Sequence, residues 1–327
     1  MAEWLVEEGI GEERAVLSQG GNIVAARLHW PGELTAGQAE DARLIVRRAG
    51  SSRGLARFAS GEDAHVDQLP ASAAEGSLMR LEVKRARMWE GDRRKLAQAR
   101  PTALPLRGSL SLAEQLQVEG RQARIVHRFL ASLGWSELWH EANEGRVTFA
   151  GGALLFYPTP AMTLIDVDGE AAPFALASAA VAPLASALRR FDLGGNIGID
   201  FPTLAEKRKR REVDDTLSRA LTDWPHERTD MNGFGFVQLV ARFERPSLLT
   251  RLAQDRTGAA ARHLLREAEG LQGAGDILLR CPAPVAAALR PEWRDELGRR
   301  MGRRVRLEIL QERLDPDGGH AQRVPHE

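Results

Sequence analysis

Short apolar runs, separated by polar and glycine-containing segments, fill the first ninety residues. Residues 13–18 and 22–30 flank Gly20-Gly21 and predict two strands joined by a turn. Further strand-length runs occupy 42–48, 53–59, 62–70 and 77–88. Short strands at this spacing are typical of a small closed barrel, and an OB-type barrel fits the length. The pattern alone does not separate that barrel from other kinds.

Longer helical and strand patterns alternate after residue 100. They predict, in order, a helix over 111–135, a hairpin over 146–170 around Gly151-Gly152, a nearly all-apolar helix over 171–190, a buried strand over 196–201, a helix from Thr203 to about Trp224, a strand over 233–243, and then helices alternating with strands at 277–281 and 304–310. Thr203 and Glu206 have the spacing of a capping box, which indicates where the third of these helices begins.

These elements indicate a chain of the α+β or α/β class that is divided where its composition changes. We expect N-terminal strands in 1–38, an inserted barrel in 39–100, a connecting helical segment in 101–145, an α/β region in 146–250, a C-terminal α/β segment in 251–312 and a polar tail in 313–327.

Charge and cysteine content exclude several classes of protein. The 45 basic and 45 acidic residues balance, so the chain is not a uniformly basic protein that coats nucleic acid. The single cysteine, Cys281, cannot form a disulfide within the chain. The acidic N-terminus is unlike a secretory signal, and no apolar run approaches the roughly 20 residues that span a bilayer. We therefore expect a soluble cytoplasmic protein with no membrane partner.

The strongest chemical signal is a set of three aspartates at predicted strand ends. Asp166 and Asp168 are two residues apart where one apolar run ends, and Asp200 ends the next strand. A strand, a crossover helix and a strand make the two strands parallel, so their carboxyl ends should share one sheet edge. Close carboxylates repel one another, and Mg²⁺ removes that penalty. The simpler alternative is that the aspartates only end strands and turns.

Basic residues cluster in segments that could contact phosphates. Five of them, Lys207 to Arg211, follow Asp200 closely, and only some can face the carboxylates. A second cluster begins with Lys84, Arg85 and Arg87, and a third lies within 290–306. A solvated basic surface is the alternative to phosphate binding.

The segment from Gly151 to Leu248 resembles the catalytic region of the ribonuclease E/G family. The resemblance is carried by GGALLFYPTPAMTLIDVDGE, RRFDLGGNIGIDF with the basic helix that follows, and FGFVQLVARFERPSL. It implies an OB-type RNA-binding barrel followed by a DNase I-like or RNase H-like α/β region, and Mg²⁺-dependent cleavage of single-stranded RNA that leaves 5′-phosphate ends.

The same resemblance implies roles for individual residues. Asp166 and Asp200 match the two aspartates that hold Mg²⁺, and Asp168 stands where the family has an asparagine that orients water. The expected RNA-binding residues are Lys84, Arg85, Arg87, Lys207, Arg208 and Arg211. Gly233 and Gln238 depart from the family's Arg and Glu.

Two parts of the family pattern are missing, and two other functions stay open. Cys281 has no second cysteine for the family's zinc link, so any homo-oligomer would form without zinc, and no pocket motif for a 5′-monophosphate is found in 101–150. One alternative is a relative that binds RNA without cutting it. The other is a phosphatase in which the Asp-x-Asp-Gly motif supplies Asp166 as nucleophile and Asp168 as acid–base.

Overall fold

The computed structural model describes residues 2–48, 50–90, 93–243, 245–310 and 318–326. The strands in this part of the chain are β1 Glu3–Glu8, β2 Glu13–Gln19, β3 Asn22–His29, β4 Ala39–Arg47, β5 Gly54–Arg57, β6 Asp63–Val66, β7 Leu78–Arg85, β8 Met88–Glu90, β9 Arg93–Lys95, β10 Ala97–Pro101, β11 Ala123–Val126, β12 Arg146–Phe149, β13 Gly152–Pro158, β14 Thr163–Gly169, β15 Gly195–Asp200, β16 His226–Arg228, β17 Phe236–Ala241, β18 Asp276–Pro282, β19 Val305–Leu310 and β20 His320–Val324. The helices are α1 Leu112–Val118, α2 Trp135–Glu144, α3 Pro173–Arg190, α4 Lys207–Ala220, α5 Leu248–Gln254, α6 Arg256–Glu269, α7 Ala283–Ala288 and α8 Pro291–Met301. None of them is both long and apolar enough to cross a membrane.

The N-terminal sheet has the order β11-β1-β2-β3. The predicted hairpin around Gly20-Gly21 is confirmed as β2 and β3, which pair antiparallel. The single helix predicted over 111–135 is wrong. α1 ends before Gly120, which has a φ of +75° that favours glycine. The chain then extends into β11, which adds in parallel to the edge strand β1.

Five strands close a barrel in the order β10-β6-β5-β4-β7. Its interior is apolar and includes Leu44, Phe58, Leu81 and Val83. The predicted closed barrel is therefore confirmed. Its last strand, β10, carries only alanines and a proline as apolar residues, so the hydrophobic pattern does not reveal it.

The central sheet has the order β12-β13-β14-β15-β17-β16, and only β14 and β15 pair in parallel among its described strands. Helix α3 connects these two strands, as the sequence predicts. Alternate residues such as Ile165, Val167 and Ile199 join the core that includes α3, so the intervening residues lie on the other face.

Two further expectations about helix and strand ends are wrong. The predicted capping box does not form, because α4 begins at Lys207 after Glu206, and the Thr203 hydroxyl instead donates to the carbonyl of Phe234. In the predicted polar tail, His320–Val324 forms β20, which pairs antiparallel with β18 in a sheet of order β19-β18-β20. An edge strand of mostly polar residues has no apolar alternation to mark it.

A buried ion-pair cluster joins the N-terminal sheet to α6. Arg14 is fully buried and donates to Glu7 at 2.6 Å and to Glu12 at 2.7 Å. Arg266 donates to the same Glu7 carboxylate at 2.8 Å, and the Trp30 indole donates to Glu12 at 3.2 Å. Burial alone would raise the pKa of Glu7, but the two arginines hold it below its usual value. The hydrophobic pattern does not indicate this cluster.

A buried histidine, His29, and a half-buried one, His263, should make the fold sensitive to acid. Burial lowers the pKa of His29 to about 4 and that of His263 to about 3, so both are neutral in the folded protein. The unfolded chain binds protons on these groups near pH 6.5, before the folded protein does. As far as these two histidines decide it, we expect the free energy of unfolding to be highest above pH 6.5 and to fall by a few kcal/mol as the pH drops towards 4.

Urea unfolding across this pH range measures the effect. The slope of the free energy of unfolding against pH reports how many protons the chain takes up on unfolding. His29→Gln should reduce that number by about one, whereas His127→Gln, at an exposed position, should leave it unchanged. Equal slopes for His29→Gln and the unmodified protein would contradict the assignment.

Candidate functional site

The carboxyl ends of β14 and β15 place two carboxylates in register. Asp166 pairs with Asp200 across these parallel strands, so the sheet edge predicted to gather the aspartates does so. Asp168 lies on the same face of β14, two residues beyond Asp166. Asp166 is half-buried, whereas Asp168 and Asp200 are exposed. The three form an open acidic edge on the face of the sheet away from α3.

The neighbouring carboxylates affect the protonation of Asp166. The pKa of Asp166 is raised first by burial and then by the charges of Asp200 and Asp168. No ion pair to any of the three is found in the described chain. By contrast, Asp214 is held by Arg228 through contacts of 2.7 and 2.9 Å and by the amide of Met231. The acidic edge therefore holds negative charge that no ion pair from the described residues neutralises.

The donor set suits a hard cation held by few protein ligands. Over the part of the chain that the structure describes, no group of three or more His, Cys, Asp or Glu side chains is arranged to hold a metal ion. Mg²⁺ commonly binds through one or two carboxylates and completes its shell with water and substrate phosphates. The pair Asp166 and Asp200 could supply the one or two carboxylates of such a site and would leave the other ligand positions to water and phosphate.

The basic helix α4 offers a subset of its cations to solvent. Lys209 pairs with Glu206 and lies 5.7 Å from the centre of the Phe174 ring. Arg210 donates to the carbonyls of Leu204 and Ala205. The three predicted RNA-binding residues of this helix, Lys207, Arg208 and Arg211, are exposed.

The predicted RNA-binding residues of the barrel segment already make ion pairs or hydrogen bonds within the protein. Lys84 pairs with Glu82, and Arg85 donates to the Leu96 carbonyl at 3.1 Å. Arg87 donates to Glu33 at 2.7 Å, and Glu33 also accepts from Arg251 of α5 at 2.9 Å. Arg87 therefore fastens the barrel to the rest of the chain, a structural role that the sequence does not indicate.

A large cavity of about 1360 Å³ lies between the N-terminal sheet, the barrel and α3. Its lining includes Leu193 and Gly194, which precede β15, whereas Asp200 ends that strand. The carboxylates do not line it. The candidate site is thus an open sheet edge that lies outside this cavity.

The strand predicted over 233–243 begins only at Phe236, and the residues before it form a turn near the carboxylates that the hydrophobic pattern does not predict. The connection from β16 to β17 is 229–235, and its last four residues, Asn232, Gly233, Phe234 and Gly235, form the turn. The next residue, Phe236, is the register partner of Asp200. The signal that could have marked this turn is the Asn-Gly pair followed by a second glycine, a combination typical of turns.

Comparison of the chain with protein-family models and with curated proteins finds no match.

Proposed function

We propose that this protein is a Mg²⁺-dependent endoribonuclease that hydrolyses phosphodiester bonds in single-stranded RNA and leaves 5′-phosphate ends. The observation that carries the proposal is the in-register pair of Asp166 and Asp200, to which the described residues make no ion pair. Phosphodiester hydrolysis needs positive charge at the phosphoryl oxygens. A divalent ion held by these carboxylates would supply that charge and would also neutralise the carboxylates.

Asp166 and Asp200 would hold Mg²⁺, which supplies charge neutralisation and lowers the pKa of water. Asp168, on the same strand face, would accept a hydrogen bond from the attacking water and so orient it. The water oxygen forms a bond to phosphorus, and the bond to the 3′ oxygen breaks. That order of bonds gives a 5′-phosphate and a 3′-hydroxyl.

The strand order of the barrel supports the proposal that the substrate is RNA. Numbered along the barrel, its five strands are arranged 1-2-3-5-4, with the fourth closing onto the first and the third parallel to the fifth. This order supports the interpretation as an OB-type barrel, a fold that binds oligonucleotides. The resemblance of 151–248 to the ribonuclease E/G family supports the same function and the assignment of the α/β region as DNase I-like or RNase H-like.

The exposed cations of α4 should contribute to RNA affinity through phosphates. Replacing Lys207, Arg208 and Arg211 together by Ala should weaken binding of single-stranded RNA and reduce the slope of log affinity against log salt by up to about 2. Fluorescence anisotropy at several salt concentrations measures both. The same replacement of three exposed arginines outside the barrel and the basic clusters, Arg124, Arg256 and Arg323, is the matched control. An equal loss of slope in the two variants would remove α4 from the RNA path.

The decisive test incubates purified protein with unstructured and structured RNA, with and without Mg²⁺. Cleavage of the unstructured RNA that requires Mg²⁺ and leaves 5′-phosphates supports the proposal. Salt-dependent binding without products over hours would instead favour a protein that binds RNA without cutting it. A readout besides activity is thermal unfolding, because Mg²⁺ bound at the acidic edge should raise the melting temperature of the unmodified protein and not that of Asp166→Asn.

A further inference from the structure

Phe234 is an aromatic side chain that the fold holds out into solvent. It is 79% exposed, and no large apolar side chain in the described chain is more exposed. Its neighbours on the turn are Asn232, Gly233 and Gly235, and none of them offers it an apolar partner. A ring this exposed gains nothing from the core, so packing does not explain its presence there.

The turn that carries Phe234 is rigidly built. The Asn232 side-chain oxygen accepts from the amides of Phe234 and Phe236 at 2.9 and 3.0 Å. Gly235 has a φ of +93°, and a Cβ there would lie 2.4 Å from the carbonyl oxygen of Phe201. The backbone of Phe234 is therefore fixed in place while its ring is left free, which is the arrangement of a preorganised contact.

The same turn lies directly against the carboxylate edge. The Thr203 hydroxyl donates to the Phe234 carbonyl at 3.2 Å, and the Phe201 amide donates to the Gly235 carbonyl at 3.2 Å. Phe201 follows Asp200 immediately. A nucleotide chain lying across the acidic edge would therefore pass this ring.

We propose that Phe234 stacks on one nucleobase of the single-stranded substrate, next to the phosphodiester bond that is cut at the carboxylates. This inference rests on the function proposed above and adds the contact that holds the base. A single planar ring surrounded by polar residues and glycine suits one base, whereas a stable protein interface buries about 800 Å² on each partner. Stacking requires an unpaired base, so Phe234 would also favour single-stranded over paired RNA.

The test pairs a protein variant with a substrate variant. Oligoribonucleotides that differ only by one abasic position, scanned across the cleavage point, are bound without Mg²⁺ and followed by fluorescence anisotropy. For the unmodified protein, removing one particular base should weaken binding about tenfold. Phe234→Leu should bind the intact RNA about tenfold more weakly and lose its sensitivity at that position alone. Phe234→Trp should keep both the affinity and the sensitivity.

Cleavage kinetics and a matched control complete the experiment. With Mg²⁺, Phe234→Leu should raise KM about tenfold and leave kcat within about threefold, because stacking is made in the ground state and the transition state alike. Leu130→Ala, at a side chain that is 77% exposed, should change neither.

Three outcomes overturn the stacking proposal while leaving the nuclease intact. The first is Mg²⁺-dependent cleavage by Phe234→Leu with unchanged KM, and the second is undiminished sensitivity of that variant at every abasic position. The third is a difference in oligomeric state between Phe234→Leu and the unmodified protein in sedimentation, which would make Phe234 a contact between protein chains. A protein that neither binds nor cuts RNA would end the proposed function itself.

Discussion

Asp166→Asn and Asp200→Asn should each lower Mg²⁺-dependent RNA cleavage by at least about 100-fold while leaving RNA binding nearly unchanged. Each substitution removes one of the two carboxylates that lie in register at the sheet edge, and neutral amides hold Mg²⁺ poorly. Binding should persist because it depends on exposed cations elsewhere. Initial rates of cleavage at saturating Mg²⁺, together with anisotropy in its absence, measure the two effects separately.

Asp168→Asn serves as an internal comparison at the same edge. The Asp168 charge contributes to the raised pKa of Asp166, so its removal should lower that pKa and extend activity to lower pH. We expect this variant to keep activity within about tenfold, since an amide can still orient water. Asp215→Asn, at an exposed position of α4, controls for the loss of one negative charge. Cleavage by Asp166→Asn at the rate of Asp215→Asn would refute the metal site.

The parts of the fold that the sequence predicts are those with strong periodicity. The strand–helix–strand unit of β14, α3 and β15 follows from two apolar runs around an apolar helix, and the parallel pairing follows from chain connectivity. The elements it misses or misassigns have weak apolar patterns. β11 and β20 are stabilised by backbone hydrogen bonds to neighbouring strands, and nothing local in their side chains indicates those neighbours.

The candidate site divides in the same way. Asp166 and Asp200 can be placed together from sequence because the register of two parallel strands brings strand ends side by side. The uses of Arg87 and Asp214 cannot be predicted, because their partners Glu33 and Arg228 are brought to them by tertiary structure alone. The position of Phe234 likewise depends on a turn packed against the segment after Asp200.

Arg14→Met should be the most destabilising single substitution outside the apolar core, with an expected cost of about 3–5 kcal/mol. Arg14 is fully buried and is the ion-pair partner of both Glu7 and Glu12. Methionine fills much of the same volume but leaves the buried Glu12 without its ion-pair partner, while the Trp30 indole still donates to it. Urea unfolding followed by tryptophan fluorescence measures the loss. Arg124→Met removes an exposed pair with Glu3 and should cause no measurable change.

A second substitution distinguishes stranded charge from lost packing. If the cost of Arg14→Met comes from leaving Glu12 buried without its ion-pair partner, then adding Glu12→Gln should recover part of the lost stability and not increase the loss. The deficit of Arg14→Met relative to the unmodified protein should also shrink as pH falls, because a buried carboxyl without its cation has a raised pKa and becomes neutral first. A deficit that is independent of pH and additive with Glu12→Gln would mean that Arg14 stabilises the N-terminal sheet by filling space, and not by its charge.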